Sequence, residues 1–296
     1  MKSIKVEALN KEIAELKHKK HTATNIDDRI KYLKQYHRKA LELVDLVDTD
    51  EKTRAGITAK DLIKRVKNMP TLPKFATGIT KLDAYLSGGF QTGLFVNLAG
   101  ESGAGKTTML MNILANMSSS RKTVFFNFEM GDRLFASKLQ KLNMNDTQLD
   151  NLIIDSENNG INELIMEIEV YAADGVKFFA IDSKMKIKAD GALQEYQAIS
   201  KMSSDLARLA ARKDIVIFLI NQMNEEDIKN KRLAFKGSGD QKYDSDIALF
   251  LVNENGKRNL ICNKNRQNDK LFCFDISEAD YKDQDAPVVY EMPDII

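Results

Sequence analysis

Gly100-Glu101-Ser102-Gly103-Ala104-Gly105-Lys106-Thr107 fits the pattern G-x-x-x-x-G-K-[ST]. The apolar run Leu94–Ala99 precedes it and a helical stretch near 105–117 follows, the strand–loop–helix context that a phosphate-binding loop requires. Glycines let consecutive backbone N–H groups turn inward onto a phosphate, and the N-terminus of the following helix adds its dipole. In such a loop Lys106 reaches the β- and γ-phosphates, and the Thr107 hydroxyl ligates Mg²⁺. Gly100, Glu101, Ser102, Gly103, Ala104, Gly105, Lys106, Thr107 and Thr108 are therefore the expected nucleotide-binding residues, with ATP and Mg²⁺ as cofactors.

The segments on either side alternate between strand and helix. Short apolar runs recur at Leu94–Ala99, Thr123–Phe128, Val176–Ile181, Ile215–Ile220 and Ile247–Val252, and helical stretches near 105–117, 132–142, 161–173 and 193–212 separate the first four. That alternation predicts βαβ units and a mostly parallel central sheet covered on both faces. The late runs 259–263, 270–275 and 287–291 have no helix between them, so an antiparallel extension is expected.

Three strand ends carry candidate chemistry. Val176–Asp182 is an apolar strand closing on a carboxylate, so Asp182 is expected beside the loop, holding Mg²⁺ together with Thr107. The run Phe125–Met130 brings Glu129 to the ligand edge of the sheet, where a carboxylate can deprotonate an attacking water. The alternative for Glu129 is a surface glutamate capping the helix that starts at Asp132. Ile217–Gln222 ends in two amides, of which Gln222 can touch the γ-phosphate; a plain strand-end polar residue is the alternative.

Hydrophobic content of 43% and charged content of 29% describe an ordinary globular chain. No apolar run approaches the ~20 residues of a membrane span, and the first residues lack a signal peptide's apolar core. With only Cys262 and Cys273 present, buried free thiols in a reducing cytoplasm are expected. Charge is uneven: the first 70 residues carry 17 Lys and Arg against 11 Asp and Glu, and the rest 27 against 32. Any nucleic-acid contact must therefore be local rather than global.

Residues 1–56 read as a helical hairpin region, with Val6, Leu9, Ile13 and Leu16, then Ile26, Ile30, Leu33, His37, Ala40, Val44 and Val47, at helical spacing. A linker helix and connector is expected over 57–73. It opens on the capping-box pattern Thr58-Ala59-Lys60-Asp61 and stops before Met69-Pro70-Thr71-Leu72-Pro73. The main domain spans 74–296.

Read in order, these motifs resemble the ATPase domain of the bacterial replicative helicases, the DnaB family, phage members included. Thr77-Gly78-Ile79-Thr80-Lys81-Leu82-Asp83 is similar to that family's opening segment, Phe128-Glu129-Met130 to its glutamate motif, and Asn221-Gln222-Met223-Asn224 to its glutamine motif. Phe235-Lys236-Gly237-Ser238-Gly239 with Asp244-Ser245-Asp246 resembles its DNA-binding loop and the strand behind it. Asn263-Lys264-Asn265-Arg266 resembles its finger segment.

The likeness covers roughly 57–275 and implies a RecA-like P-loop fold. It makes Glu129 the catalytic base, Gln222 the γ-phosphate sensor, and Lys264 with Arg266 the fingers supplied to a neighbouring subunit. Without the resemblance, Lys264 and Arg266 read as surface charge on an edge strand. It further implies single-stranded DNA as partner, contacted by Lys236, Gly237, Ser238 and Gly239, and a ring homo-oligomer, hexameric in that family. Lys184, Lys186 and Lys188 depart from the family, which has apolar residues there; they line the pore or solvate a loop. The helix at 58–67 resembles the family's linker helix, which packs on a neighbouring subunit. A loader or primase is a further candidate partner, although the N-terminal region falls well short of the family's primase-binding domain. The implied activity is an ATP-driven helicase or translocase in the cytoplasm, of a host if phage-encoded. A RecA/RadA-like recombinase or mediator and a loader ATPase are the alternatives.

Overall fold

Strand β3, Leu94–Gly100, is buried from Phe95 to its end, and the rest of the sheet is assembled around it. The computed structural model describes residues 2–22, scattered positions from 28 to 43, 57–69, 72–157, 160–183, 195–223, 233, 235, 244–254, 257–277 and 280. In chain order the elements are α1 (Lys2–Thr22), α2 (Ala59–Lys67), β1 (Lys74–Phe75), α3 (Thr80–Tyr85), β2 (Phe90–Gln91), β3, α4 (Lys106–Met117), β4 (Thr123–Asn127), α5 (Asp132–Gln140), α6 (Asp146–Asn151), β5 (Leu152–Asp155), α7 (Ile161–Ala173), β6 (Phe178–Asp182), α8 (Glu195–Lys213), β7 (Val216–Gln222), β8 (Ile247–Glu254), β9 (Lys257–Asn265) and β10 (Phe272–Asp275).

Among the described residues these strands form a sheet of order β10-β9-β8-β3-β7-β6-β4-β5, with β1 and β2 paired apart. From β8 through β5 all pairings are parallel. Strand β9 then runs antiparallel to β8, and β10 to β9. This is an α/β RecA-like P-loop fold, with the parallel sheet and antiparallel extension expected from the alternation. Strand β5 is an addition to that expectation. Its apolar run, Leu152–Ile154, is only three residues long and follows α6 without a break, which hides it beside the longer runs. The run 287–291 lies outside the described residues.

Both faces of β3 pack against apolar residues. Val96 and Leu98 join a core with Met109, Leu110 and Leu114 of α4 and with Phe218 of β7. Ala99 joins Met223, Phe235, Ala248 and Phe250 on the other side, and α8 packs on β3 and β7. The segment leading into the sheet is held by a clasp. Asp83 accepts from Thr77 N–H at 2.8 Å through Oδ1 and from Gly78 N–H at 3.0 Å through Oδ2. Burial raises the Asp83 carboxyl above its ordinary value, against the pull of those bonds.

By its contacts the chain divides into two compact units, Met1–Thr71 with Met166–Asp174, and Leu72–Ile165 with Gly175–Ile296. In the first, Leu9 and Ile13 of α1 are buried against Tyr36 and Leu43, with Val6, Leu16 and Val170 packed around them. Ala40 is buried as its spacing predicts, whereas Tyr36 and Leu43 are buried without belonging to the expected stripe. Ile26, Ile30, Leu33, His37, Val44 and Val47 lie outside the described residues. Helix α2 is capped as expected, with Asp61 N–H donating to Thr58 Oγ1 at 3.2 Å. It buries none of its residues, and Leu62, Ile63 and Val66 are 48–57% exposed. No helix among the described residues is long and apolar enough to cross a membrane. Cys262 and Cys273 form no disulfide; burial pushes the Cys262 thiol up to about 12.

Candidate nucleotide site

The end of β3 and the start of α4 create the site between them. Gly105 adopts a left-handed conformation, φ 97°, and is the N-cap of α4 without a side-chain cap, so the helix's first N–H groups face an open loop. Gly100 admits no side chain, because a Cβ there would stand 2.5 Å from the Leu251 carbonyl oxygen of β8. Lys106 Nζ donates to Gly100 O at 2.9 Å and Glu101 O at 2.7 Å, which holds the loop closed on itself. Burial lowers the Lys106 pKa; the charges of Asp182, Glu129 and Glu101 oppose that shift.

The parallel order sets β7, β6 and β4 in succession on one side of β3, so their C-terminal ends lie with the loop at one sheet edge. Thr107 Oγ1 donates to Asp182 Oδ2 at 2.6 Å, joining the two residues predicted as metal ligands. Asp182 is fully buried, and its Oδ1 accepts no hydrogen bond from the protein. Burial pushes its carboxyl up to about 7; the Thr107 bond opposes this and the nearby Glu129 adds to it. One orphaned carboxylate oxygen beside a hydroxyl suits a hard cation that keeps waters and takes its other oxygens from phosphate. No cluster of three or more His, Cys, Asp or Glu able to hold a metal occurs among the described residues.

Glu129 lies beyond the strand rather than at its end: β4 stops at Asn127. Asn127 turns the chain by accepting from Met130 N–H at 3.2 Å and donating from Nδ2 to Met130 O at 2.7 Å. This turn sets Glu129, exposed, on a cavity of about 190 Å³ that Lys106, Thr107, Thr108 and Gln222 also line. Glu129 does not cap the following helix, whose N-cap is Gly131. Gln222 is the last residue of β7, and the buried Asn221 beside it donates to Asn97 of β3. Directly after Gln222, Met223 forms an antiparallel bridge with Phe235.

Two cations near the loop carry no signal in the sequence. Lys138 of α5 lines the cavity, nine positions after Glu129. Arg258 of β9 lies against the loop, its Cζ and Nη1 3.1 Å from the point where a Gly105 Cβ would stand. Neither sits in a motif; only the turn after Asn127 and the reversal of β9 bring them in.

Lys264 and Arg266 are not brought to this cavity. Asn265 pairs with Ile247, itself level with Val96, so the finger segment lies toward the opposite edge of the sheet from Gly100. Lys184, Lys186 and Lys188 lie outside the described residues, as do Asn224 and Lys236, Gly237, Ser238 and Gly239.

Similarity to known proteins agrees with this geometry. DNA repair protein RadA of Pseudomonas aeruginosa is 26% identical over 163 residues, 52% of this chain and 33% of that protein. The chain thus spans about a third of the length of the RadA relatives it matches. Among solved structures, one described as an ATPase domain superposes with TM-score 0.63 at 19% identity, over 77% of this chain and 98% of that one. A DnaB-like replicative helicase superposes with TM-score 0.60 at 18% identity, over 93% and 74%. At those identities the structures speak for the fold. The KaiC ATPase family matches residues 75–267, about two thirds of the sequence and the whole of the site just described. The chain belongs to the KaiC family of RecA-fold ATPases.

Proposed function

We propose that this protein is a ring-forming motor of the replicative-helicase type, which hydrolyses ATP between subunits and moves along single-stranded DNA. The observation that carries the reading is the position of Arg266: it lies away from its own P-loop, as a residue that serves a neighbour's nucleotide must. The superposition on a DnaB-like replicative helicase supports it.

In this reading the P-loop N–H groups and Lys106 hold the β- and γ-phosphates and spread the charge that builds up during transfer. Thr107 and Asp182 would hold Mg²⁺, which neutralises phosphate charge when bound. Glu129, facing the cavity, accepts the proton of the attacking water, and Gln222 contacts the γ-phosphate. Arg266 and Lys264 of an adjacent subunit complete the charge around the transferring group. The Met223–Phe235 bridge ties Gln222 to the residue preceding Lys236, so loss of the γ-phosphate can be felt at the DNA loop. The exposed Leu62, Ile63 and Val66 of α2 give that helix an apolar face for a neighbouring subunit. A loader or primase would be an additional partner; the solved DnaB-like helicase is described together with its interactions with primase.

The RadA relatives favour a second reading, a recombination-type ATPase that assembles on DNA as a filament. Negative-stain imaging with single-stranded DNA and a non-hydrolysable ATP analogue separates the two. Closed rings together with strand-displacement activity support the first. Filaments without unwinding support the second, and monomers leave neither standing.

A further inference from the structure

We propose that Arg258 is a further cation of the nucleotide site, acting within its own chain on the phosphate groups from behind Gly105. The proposal rests on the P-loop's binding a nucleotide, and it assigns to that site a residue outside every motif.

Three observations meet at this residue. Strand β9 runs antiparallel to β8, so Arg258, paired with Asn253, comes to the same sheet edge as the P-loop. There Cζ, Nη1 and Nη2 stand 3.1, 3.1 and 3.4 Å from the position of a Gly105 Cβ, nearly equal distances that set the guanidinium face-on to the glycine. Any larger residue at 105 would push it away. Finally, Arg258 Nε is buried and has no acceptor, and no carboxylate pairs with the side chain among the described residues.

A guanidinium stays charged at any pH the protein meets. Held against a phosphate-binding loop with no counter-ion among the described residues, it adds positive potential where the ligand is anionic, and half-burial limits its screening by salt. A prop for the loop would instead spend its donors on loop carbonyls, as Lys106 does on Gly100 and Glu101. Arg258 makes no such bond among the described residues, so its donors remain available to phosphate oxygens. The ligand class is the phosphate chain of a nucleoside di- or triphosphate.

The test displaces a fluorescent ADP analogue from wild type, Arg258→Gln and Arg258→Lys with ATP, and separately with tripolyphosphate, which has no base or ribose. Loss of one charged contact should weaken both competitors about tenfold in Arg258→Gln. Arg258→Lys should recover most of that loss. If only ATP weakens, Arg258 reads the base or ribose; if neither weakens while thermal stability falls, it is a prop. Either result overturns the proposal. Failure of the wild type to bind the analogue at all would instead sink the nucleotide site itself. Should Arg258→Gln not fold, arginine-specific modification of wild type, mapped by mass spectrometry, takes its place: tripolyphosphate should protect Arg258, and equal labelling with and without it counts against the idea.

Discussion

Arg266 donates from Nη1 to Asp246 Oδ1 at 3.3 Å, while the other oxygen of the same carboxylate accepts from Phe95 N–H at 2.9 Å. The Arg266 N–H also donates to the Asp246 carbonyl at 2.9 Å. A single aspartate thus fixes the start of the central strand and the guanidinium predicted to act on a neighbour. Arg266 is held in place while its side chain remains 57% exposed.

If Arg266 acts in trans, Arg266→Ala should lower kcat about 10³-fold while nucleotide affinity and assembly persist. Mixing it with Lys106→Ala subunits should restore part of the activity, because some interfaces then pair an intact loop with an intact finger. ATPase measured across mixing ratios decides the matter. No recovery at any ratio, with mixed assemblies verified, would argue against a shared site.

Glu129→Gln should leave ATP binding intact and reduce turnover about 10²-fold or more, as expected for a lost general base. Lys106→Ala should lose both binding and turnover. Unchanged turnover in Glu129→Gln would transfer the base role to another carboxylate.

Asp182 gives a pH signature. Its folded pKa of about 7 lies above the ordinary 3.8, so between those values the folded chain keeps a proton that the unfolded chain has released. Stability from this group is therefore greatest at the acid end and falls as pH rises through that window. Nucleotide-free protein should melt at a lower temperature near pH 7.5 than near pH 5.5 by an amount that Asp182→Asn removes. Because Mg²⁺ competes with the same proton, its apparent affinity should climb with pH and level off above about 7. Identical melting differences in both proteins would refute the assignment.

Lys236→Ala should weaken single-stranded DNA binding and reduce the slope of log affinity against log salt by about 0.7, one phosphate contact. ATPase without DNA should barely change. Unaltered DNA binding would turn attention to Lys184, Lys186 and Lys188.

What is legible in the sequence is whatever depends on local pattern. The P-loop, the parallel strands and the alternating helices each announce themselves over a few consecutive residues. Asp182 is legible because an apolar strand ends on it. Strand β5 is less so: Leu152, Ile153 and Ile154 suit a strand, but the run is only three residues long and joins α6 directly, and its pairing with β4 is long-range. Thr77–Asp83 stands out by resemblance alone; its physical basis, both Asp83 oxygens taking adjacent backbone N–H groups, becomes visible only when the turn is folded. Glu129, expected on a strand end, sits instead on a turn made by Asn127. Arg258 and Lys138 are ordinary charges in sequence and reach the loop and the cavity only through the reversal of β9 and the turn after Asn127.

Strand β9 has a mechanical consequence. It is nine residues long, about 27 Å at strand spacing, and it carries Arg258 at one end and Lys264 near the other. If Arg258 meets its own nucleotide and Lys264 the next subunit's, the strand would be a stiff strut between successive nucleotide sites. Such a contact is head-to-tail, never face-to-face: repeated with a closing rotation it makes a ring, and without one an open helix. The few degrees by which this strut tilts at the interface would then separate a motor that encircles DNA from a protein that coats it.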